Sequence, residues 1–433
     1  MMSGTFVRAA TFAAIGITLS CGGAAAADDV QDLRARIDAL SRKLEGIEAA
    51  QQKAAAQPAP ASGKYVETGS FPGSFMVPGT NTSIKVGGLA KLDLLYDFNA
   101  AGGDASPAPA VPIDGSAAAN RKRQYRLHAR QSQIRIEART PTDVGALRGY
   151  VEADFYGTGG DELVTNSTGF RIRHAFVELG PVLAGQTWST FFDIAAQPET
   201  LDINGPAGTN PLRQGQIRYS QMIGAHTLAL AIENPQGDFT ARDGSANGNA
   251  LDSWPDIVAR WSYAGSWGHV SLRGMARDIR VDAGRPGQRA DDFGFGLGLS
   301  GSIATVGKDK LLYQINGGKG IGRYIQDAVG LGAAYNGGTG LNAQTAYGGA
   351  VAYQHWWLDN LRSTVAYGRT QIDNDAILPL TVTKAMDSVH ANLIWSPVPQ
   401  ANVGLEYIYE RRALESGASG RVNRLQVGVS YGF

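Results

Sequence analysis

The chain has 433 residues, formal net charge zero at pH 7, 43% hydrophobic residues, 56 glycines and one cysteine. Its length suits either two or three soluble domains or one large closed sheet, and a neutral chain offers nucleic acid no bulk attraction. Beyond the first residues no uncharged apolar run reaches the roughly 18 residues that a membrane helix needs, so a helical membrane protein is excluded and a glycine-rich barrel is not.

The N-terminus reads as a secretory signal over residues 1–27. Arg8 precedes the apolar stretch Ala9 to Leu19, and small residues lead to a cleavage point after Ala27, just before Asp28. Cys21 lies inside this leader, so the mature chain is expected to hold no thiol and no disulfide. Thr18-Leu19-Ser20 ahead of it is a poor lipobox.

Residues 28–57 predict a coiled-coil oligomerisation helix. Val30, Leu33, Ile37, Leu40, Leu44 and Ile47 recur at alternating spacings of three and four, which aligns them on one helical seam. Mixed Val, Ile and Leu at both core positions leave dimer and trimer open. A Pro- and Gly-containing linker over residues 58–82 follows and would act as a semi-rigid spacer.

From residue 83 to 433 the helical period vanishes and the two-residue period of strands takes over. Segments begin near Ile84, Arg126, Ala146, Phe170, Val182, Gly215, His226, Asp256, His269, Phe293, Leu311, Tyr347, Leu361, Met386, Asn402 and Val422. The expected fold is therefore all-β: an antiparallel transmembrane barrel of about 16 strands, even in number as a closed bacterial barrel requires. In the first segment Ile84, Val86, Leu92, Leu94, Tyr96 and Phe98 share one face and Lys85, Lys91, Asp93 and Asp97 the other. In the last, Leu425, Val427, Val429, Tyr431 and Phe433 alternate with Arg424, Gln426, Gly428, Ser430 and Gly432. One face suits lipid and the other water.

Connections alternate between tight and long. Gly180-Pro181, Ile223-Gly224-Ala225 and Asp359-Asn360 are tight, whereas about Ala100 to Gln124, Ser189 to Gln214, Asn234 to Ser253 and Ile321 to Ala346 are long. Short periplasmic turns and long outer loops produce this asymmetry and would leave the N-terminal helix and the C-terminus in the periplasm. Trp254, Trp261, Trp267, Trp357, Trp395, Tyr407 and Tyr431 fall near segment ends, as interfacial girdles require. In the second segment Arg126, His128 and Arg130 share a face that Arg135, Glu137 and Arg139 take over further on, which predicts a bulge near Gln131 to Gln133.

Several stretches resemble the DcaP-like family of bacterial outer-membrane porins. They are Phe75 through Gly88 at the first strand, Ala184-Gly185-Gln186-Thr187-Trp188-Ser189-Thr190-Phe191, Pro198-Glu199-Thr200-Leu201-Asp202 and Gly205-Pro206-Ala207-Gly208. The resemblance implies a homotrimer of sixteen-stranded barrels with periplasmic N-terminal helices, passing small anionic solutes such as dicarboxylates. It also implies that the loop after Trp188 folds inward as a constriction. Phe433 would be the handle for the barrel-assembly machinery, and outer-membrane lipid the surroundings.

Inward positions on clear strands include Arg148, Arg218, Arg260, Arg273 and Arg277, which with Arg126 and Arg130 are the expected pore-lining residues. The expectation is a basic ladder opposed by loop acids, Asp193, Glu199 and Asp202, with Arg213 closing the loop. Such a transverse field would favour anions, and guanidinium suits it because it stays charged and grips carboxylates bidentately. The alternative is that these arginines are solvated wall residues paired with neighbouring acids.

Other motifs carry less. Gly296-Leu297-Gly298-Leu299-Ser300-Gly301 matches a dinucleotide pattern but sits in an alternating strand with no helix behind it; its glycines predict a thin inner face against which a loop or a neighbouring barrel presses. The six histidines show no i, i+4 pair, so no metal and no cofactor is expected. The rival readings are a barrel enzyme hydrolysing lipid, with His174 or His269 activating a wall serine, and a structural envelope tether.

Overall fold

The computed structural model describes residues 35–47, 66–100, 102–104, 111–161 and 163–433. The chain divides into two units at Tyr65/Val66. In the first, residues 35–47 form a helix whose Ile37, Leu40, Leu44 and Ile47 are all more than half exposed. Val30 and Leu33 lie outside the described residues.

The second unit is a closed antiparallel barrel of sixteen staves. They are β1 (Ser83–Asn99), β2 (Gln124–His128 continued by Gln133–Thr142), β3 (Gly145–Gly157), β4 (Gly169–Leu179), β5 (Val182–Trp188), β6 (Arg213–Ile223), β7 (His226–Glu233) and β8 (Asp256–Gly265). Round the other half run β9 (Gly268–Asp282), β10 (Arg289–Ala304), β11 (Lys310–Lys319), β12 (Thr345–Leu358), β13 (Leu361–Asp373), β14 (Thr383–Val398), β15 (Ala401–Leu414) and β16 (Ser419–Gly432). Each pairs with the next, and β16 returns to β1 in a register running from Leu89↔Gly432 to Asn99↔Asn423. Phe433 exchanges both backbone hydrogen bonds with Gly88 and completes the seam.

Alternation writes the wall. On β7, Leu228, Leu230 and Ile232 are 47–57% exposed while Ala229 and Ala231 between them are buried. All sixteen expected segments are present, and their starts differ from the expected ones by a few residues at most. One barrel end carries tight turns, two of them opened by Gly180 (φ 57) and Gly224 (φ 59), a left-handed backbone that glycine adopts without a Cβ clash. The other end carries the long loops. The predicted break in β2 falls at 129–132, where the Ser132 hydroxyl accepts the Lys91 amide at 3.0 Å in place of a ladder partner. Trp267, Trp357, Trp395 and Tyr431 are exposed near the turn end, but Trp261 and Tyr407 lie in mid-strand.

The interior is not simply wet. Phe191, Ile321, Tyr324, Ile325, Ala328, Leu331 and Leu378, all from loops, pack on the inward Val258, Met275, Ala346 and Ile372 as one buried cluster. Burying a side chain of this size contributes about 1.5–3 kcal/mol, so one half of the lumen holds a core of the kind found in soluble domains.

Candidate permeation site

Residues 189–212, between β5 and β6, cross the lumen. Glu233 on β7 fixes the start: its carboxylate accepts Ser189 Oγ at 2.7 Å and the Thr190 amide at 2.6 Å. The next two carbonyls, of Phe191 and Phe192, accept Arg273 Nη1 at 2.6 Å and Arg260 Nη1 at 3.1 Å. Asp193 then caps the short turn Ile194–Ala196 and meets His269 Nε2 at 2.9 Å and Ser300 Oγ at 2.6 Å. Burial alone would raise this carboxyl, but the bonds from His269 and Ser300 and the charges of His269 and Arg273 hold it below the usual range.

The far half of the loop reaches the opposite wall. Glu199 receives Arg362 of β13 in a bidentate pair at 2.6 and 2.7 Å. The Leu201 amide donates to Glu406 on β15 at 2.7 Å, and its carbonyl accepts Lys91 Nζ of β1 at 2.7 Å. The Ala207 amide donates to Ser388 Oγ on β14 at 2.8 Å. Loop backbone that would otherwise be orphaned in the lumen is thus satisfied by wall side chains.

Glycines on the wall make room for this crossing. A Cβ on Gly368 would collide with the Ala207 carbonyl, one on Gly404 would stand 2.7 Å from Leu201 Cδ2, and one on Gly296 would stand 2.6 Å from Ile321 Cδ1. The glycine-rich face of β10 therefore abuts a loop, the one spanning 320–344. That second loop also locks the first, since Asp327 accepts the Gly208 amide and Thr370 Oγ1, both at 2.7 Å. Asp327 is buried, which pushes its carboxyl above the usual range despite those two bonds.

With β7 to β16 and β1 occupied in this way, the inner face of β2 to β4 keeps several partly exposed arginines, while the carbonyl of Asp104, after β1, meets His128 Nε2 on it at 2.9 Å. Arg135, Arg139 and Arg171 keep 41–42% of their side-chain surface exposed. Arg126 and Arg130 share Asp104; Arg139 and Arg148 share Glu137, and Arg148 also reaches Glu178. Arg135 and Arg173 share Glu152, while Arg171 and Arg173 share Asp154. Among the described residues these seven guanidiniums thus face five carboxylates, with Arg218 on β6 beyond them. Arg148 lies 5.3 Å from the rings of both Tyr150 and Phe176, and Arg171 lies 5.2 Å from that of Tyr156, which holds the planes in place.

The expected ladder is therefore split. Arg126, Arg130 and Arg148 stand on the open arc. Arg260 and Arg273 grip loop carbonyls, and Arg277 pairs with Asp238 at 3.1 Å; Arg273 and Arg277 are only 1% and 2% exposed. The loop acids do not oppose free arginines across a gap: Asp193 belongs to His269, Glu199 to Arg362, and Asp202 accepts the amides of Asn204 and Gly205. The physical reason is that the loop fills the space such a field would span. Arg213 lies 3.6 Å over the Trp188 ring at the loop's base. Arg135, Arg139, Arg171, Arg173 and Arg362 were missing from the expected pore set, although the face alternation of β2, β4 and β13 could have supplied them. His174 meets Thr187 Oγ1 at 2.9 Å, and His269 meets Ser302 Oγ at 2.8 Å as well as Asp193. Among the described residues no group of His, Cys, Asp and Glu is arranged to hold a metal ion.

The model of the family described as DcaP outer membrane protein matches residues 71–433. The structure is similar to that of the outer membrane channel DcaP of Acinetobacter baumannii, with a TM-score of 0.73 at 22% identity over 85% of this chain and 100% of that one. It is more distantly similar to the trimer form of OmpT of Vibrio cholerae, with a TM-score of 0.52 at 13% identity over 81% and 99% of the two chains. Porin Omp2b of Brucella suis is 24% identical over 217 residues, 46% of this chain and 53% of that protein. The chain thus spans about half the length of the curated relatives it matches.

Proposed function

The chain belongs to the DcaP outer membrane protein family, and from that premise we propose that it is a diffusion channel of the outer membrane that prefers small anionic solutes such as dicarboxylates. One observation carries the reading: the inward loop leaves partly exposed an arc of wall where, among the described residues, seven guanidiniums face five carboxylates. In a narrow passage fixed charge of one sign concentrates counter-ions, and the planar fork of arginine matches a carboxylate. The pore-lining set is Arg126, Arg130, Arg135, Arg139, Arg148, Arg171 and Arg173.

The remaining assignments belong to the same reading. Residues 1–27 are the signal, 28–57 the oligomerisation helix of a homotrimer, 58–82 the linker and 83–433 the barrel. The turn end, with the helix and the C-terminus, faces the periplasm, and the barrel-assembly machinery engages Phe433. Reversal potential under a salt gradient tests the channel. Anion preference that falls in Arg135→Ala plus Arg171→Ala is expected; cation preference, or no change in that variant, overturns the reading.

A second reading is favoured by one contact set, the Asp193–His269–Ser302 chain with both links under 3 Å. It would make Ser302 the nucleophile of a lipid hydrolase. Ester turnover by the purified protein that is lost in Ser302→Ala would establish it.

A further inference from the structure

The outer wall carries charge as well as the inner one. On β13 to β16, within a few residues of the loop end, Arg369, Asp387, Arg411 and Arg421 all project from the face that below them bears Val365, Val389, Leu405 and Leu425. Arg411 and Arg421 are direct cross-strand partners, and Asp387 stands opposite both Arg369 and Arg411. Like charges directly opposed across a ladder destabilise a sheet, so this row needs compensation.

The protein provides little. Asp387 binds Arg369 at 2.7 Å and lies 3.9 Å from Arg411, so two of the three guanidiniums share one carboxylate. The Arg421 side chain has no protein acceptor among the described residues. Beside it a shallow cleft of about 470 Å³ opens between Phe98, Tyr407 and Asn423. The Tyr407 hydroxyl on its wall donates to Asn423 Oδ1 at 2.6 Å.

We propose that this outward row of Arg411 and Arg421, with Arg369 at its flank, is a binding surface for a phosphorylated lipid headgroup in the leaflet at the loop end, the phosphosugars of lipid A. Arginine is tolerated far better near a bilayer interface than at mid-bilayer, and a phosphate there supplies the charge-assisted bonds that the protein withholds. The cleft, floored by aromatic carbon and rimmed by asparagine, accommodates the first acyl carbons and a sugar hydroxyl. Assignment to lipid A, rather than to a periplasmic-leaflet phospholipid, rests on the orientation proposed above.

The test uses the full mature protein in detergent micelles titrated with lipid A, phosphatidylglycerol or phosphatidylcholine, read by native mass spectrometry. Lipid A is expected to bind wild type best, and Arg411→Ala plus Arg421→Ala to lose affinity for it by about tenfold or more. Double replacement by Lys is expected to recover part of the loss. Single-channel conductance of the variants should match wild type, which shows that the barrel is folded. Lipid A affinity unchanged in the Ala variant, or phosphatidylcholine binding as tightly as lipid A, overturns the proposal. So does dissociation of the oligomer in that variant with lipid A binding intact, which would make the row a contact between copies. Orientation is read separately with a membrane-impermeant maleimide on intact cells carrying Asp243→Cys in the loop after β7. Absence of labelling defeats the orientation and the lipid A assignment, whereas the micelle titration alone decides the guanidinium–phosphate contact.

Discussion

Arg362 holds Glu199 by both arms of its guanidinium, across a sequence separation of 163 residues, and thereby fastens the far half of the inward loop to β13. A charged hydrogen bond contributes about 1.5–3 kcal/mol, and the loss of one partner strands the other. Arg362→Ala is expected to lower the thermal midpoint and add open-channel noise in planar bilayers. Glu199→Gln, which keeps one acceptor, should do less; equal effects would mean that the pair does not fasten the loop.

Gly368 offers a steric test of the same attachment. Any side chain there meets the Ala207 carbonyl, whereas a Cβ on Gly149 meets nothing within 4 Å. Overpacking of this kind destabilises by about 1–3 kcal/mol. Gly368→Val is expected to displace the loop and raise conductance, and Gly149→Ala to leave both conductance and melting unchanged.

Asp327 and Asp193 predict opposite limbs of a pH profile. Burial raises Asp327, so the folded chain favours its protonated form; its contribution is complete below the unfolded pKa and is lost as pH rises through the folded one. Asp193 is lowered despite burial because of its bonds to His269 and Ser300, so its contribution is present above the unfolded pKa and disappears as pH falls through the folded value. Melting of Asp327→Asn should lack the decline that sets in as pH rises past the unfolded carboxyl pKa, and that of Asp193→Asn the decline as pH falls below it. A wild-type profile flat on both sides would contradict the assignment.

Selectivity and loop attachment should separate by residue. Arg135→Ala plus Arg171→Ala removes exposed charge and is expected to move the reversal potential toward zero at 0.1 M salt. The change should shrink at 1 M, where the Debye length falls from about 10 Å to about 3 Å. Arg273→Ala removes a buried donor to the Phe191 carbonyl and is expected to act on melting first. The reverse pattern would place the selectivity on β9.

The wall was legible because a strand repeats its environment every second residue: Leu228, Ala229, Leu230, Ala231 and Ile232 state their faces without knowledge of any neighbour. The occupant of the lumen was legible only in outline: the glycines of β10 and the family resemblance pointed to an inward loop, not to what it touches. Inward Val258, Met275 and Ile372 contradict a wet interior, yet only the loops that cover them explain why. Arg273 and Arg171 look alike in sequence, both inward on strands, and what separates them is a loop carbonyl over 80 residues distant from Arg273. Alternation gives a direction for each side chain and says nothing of what it points at.

Filler and passage occupy different arcs of one cylinder. Replacing exposed side chains on β2 to β4 is therefore expected to leave intact the packed wedge that braces the opposite wall, so charge and scaffold can be altered separately.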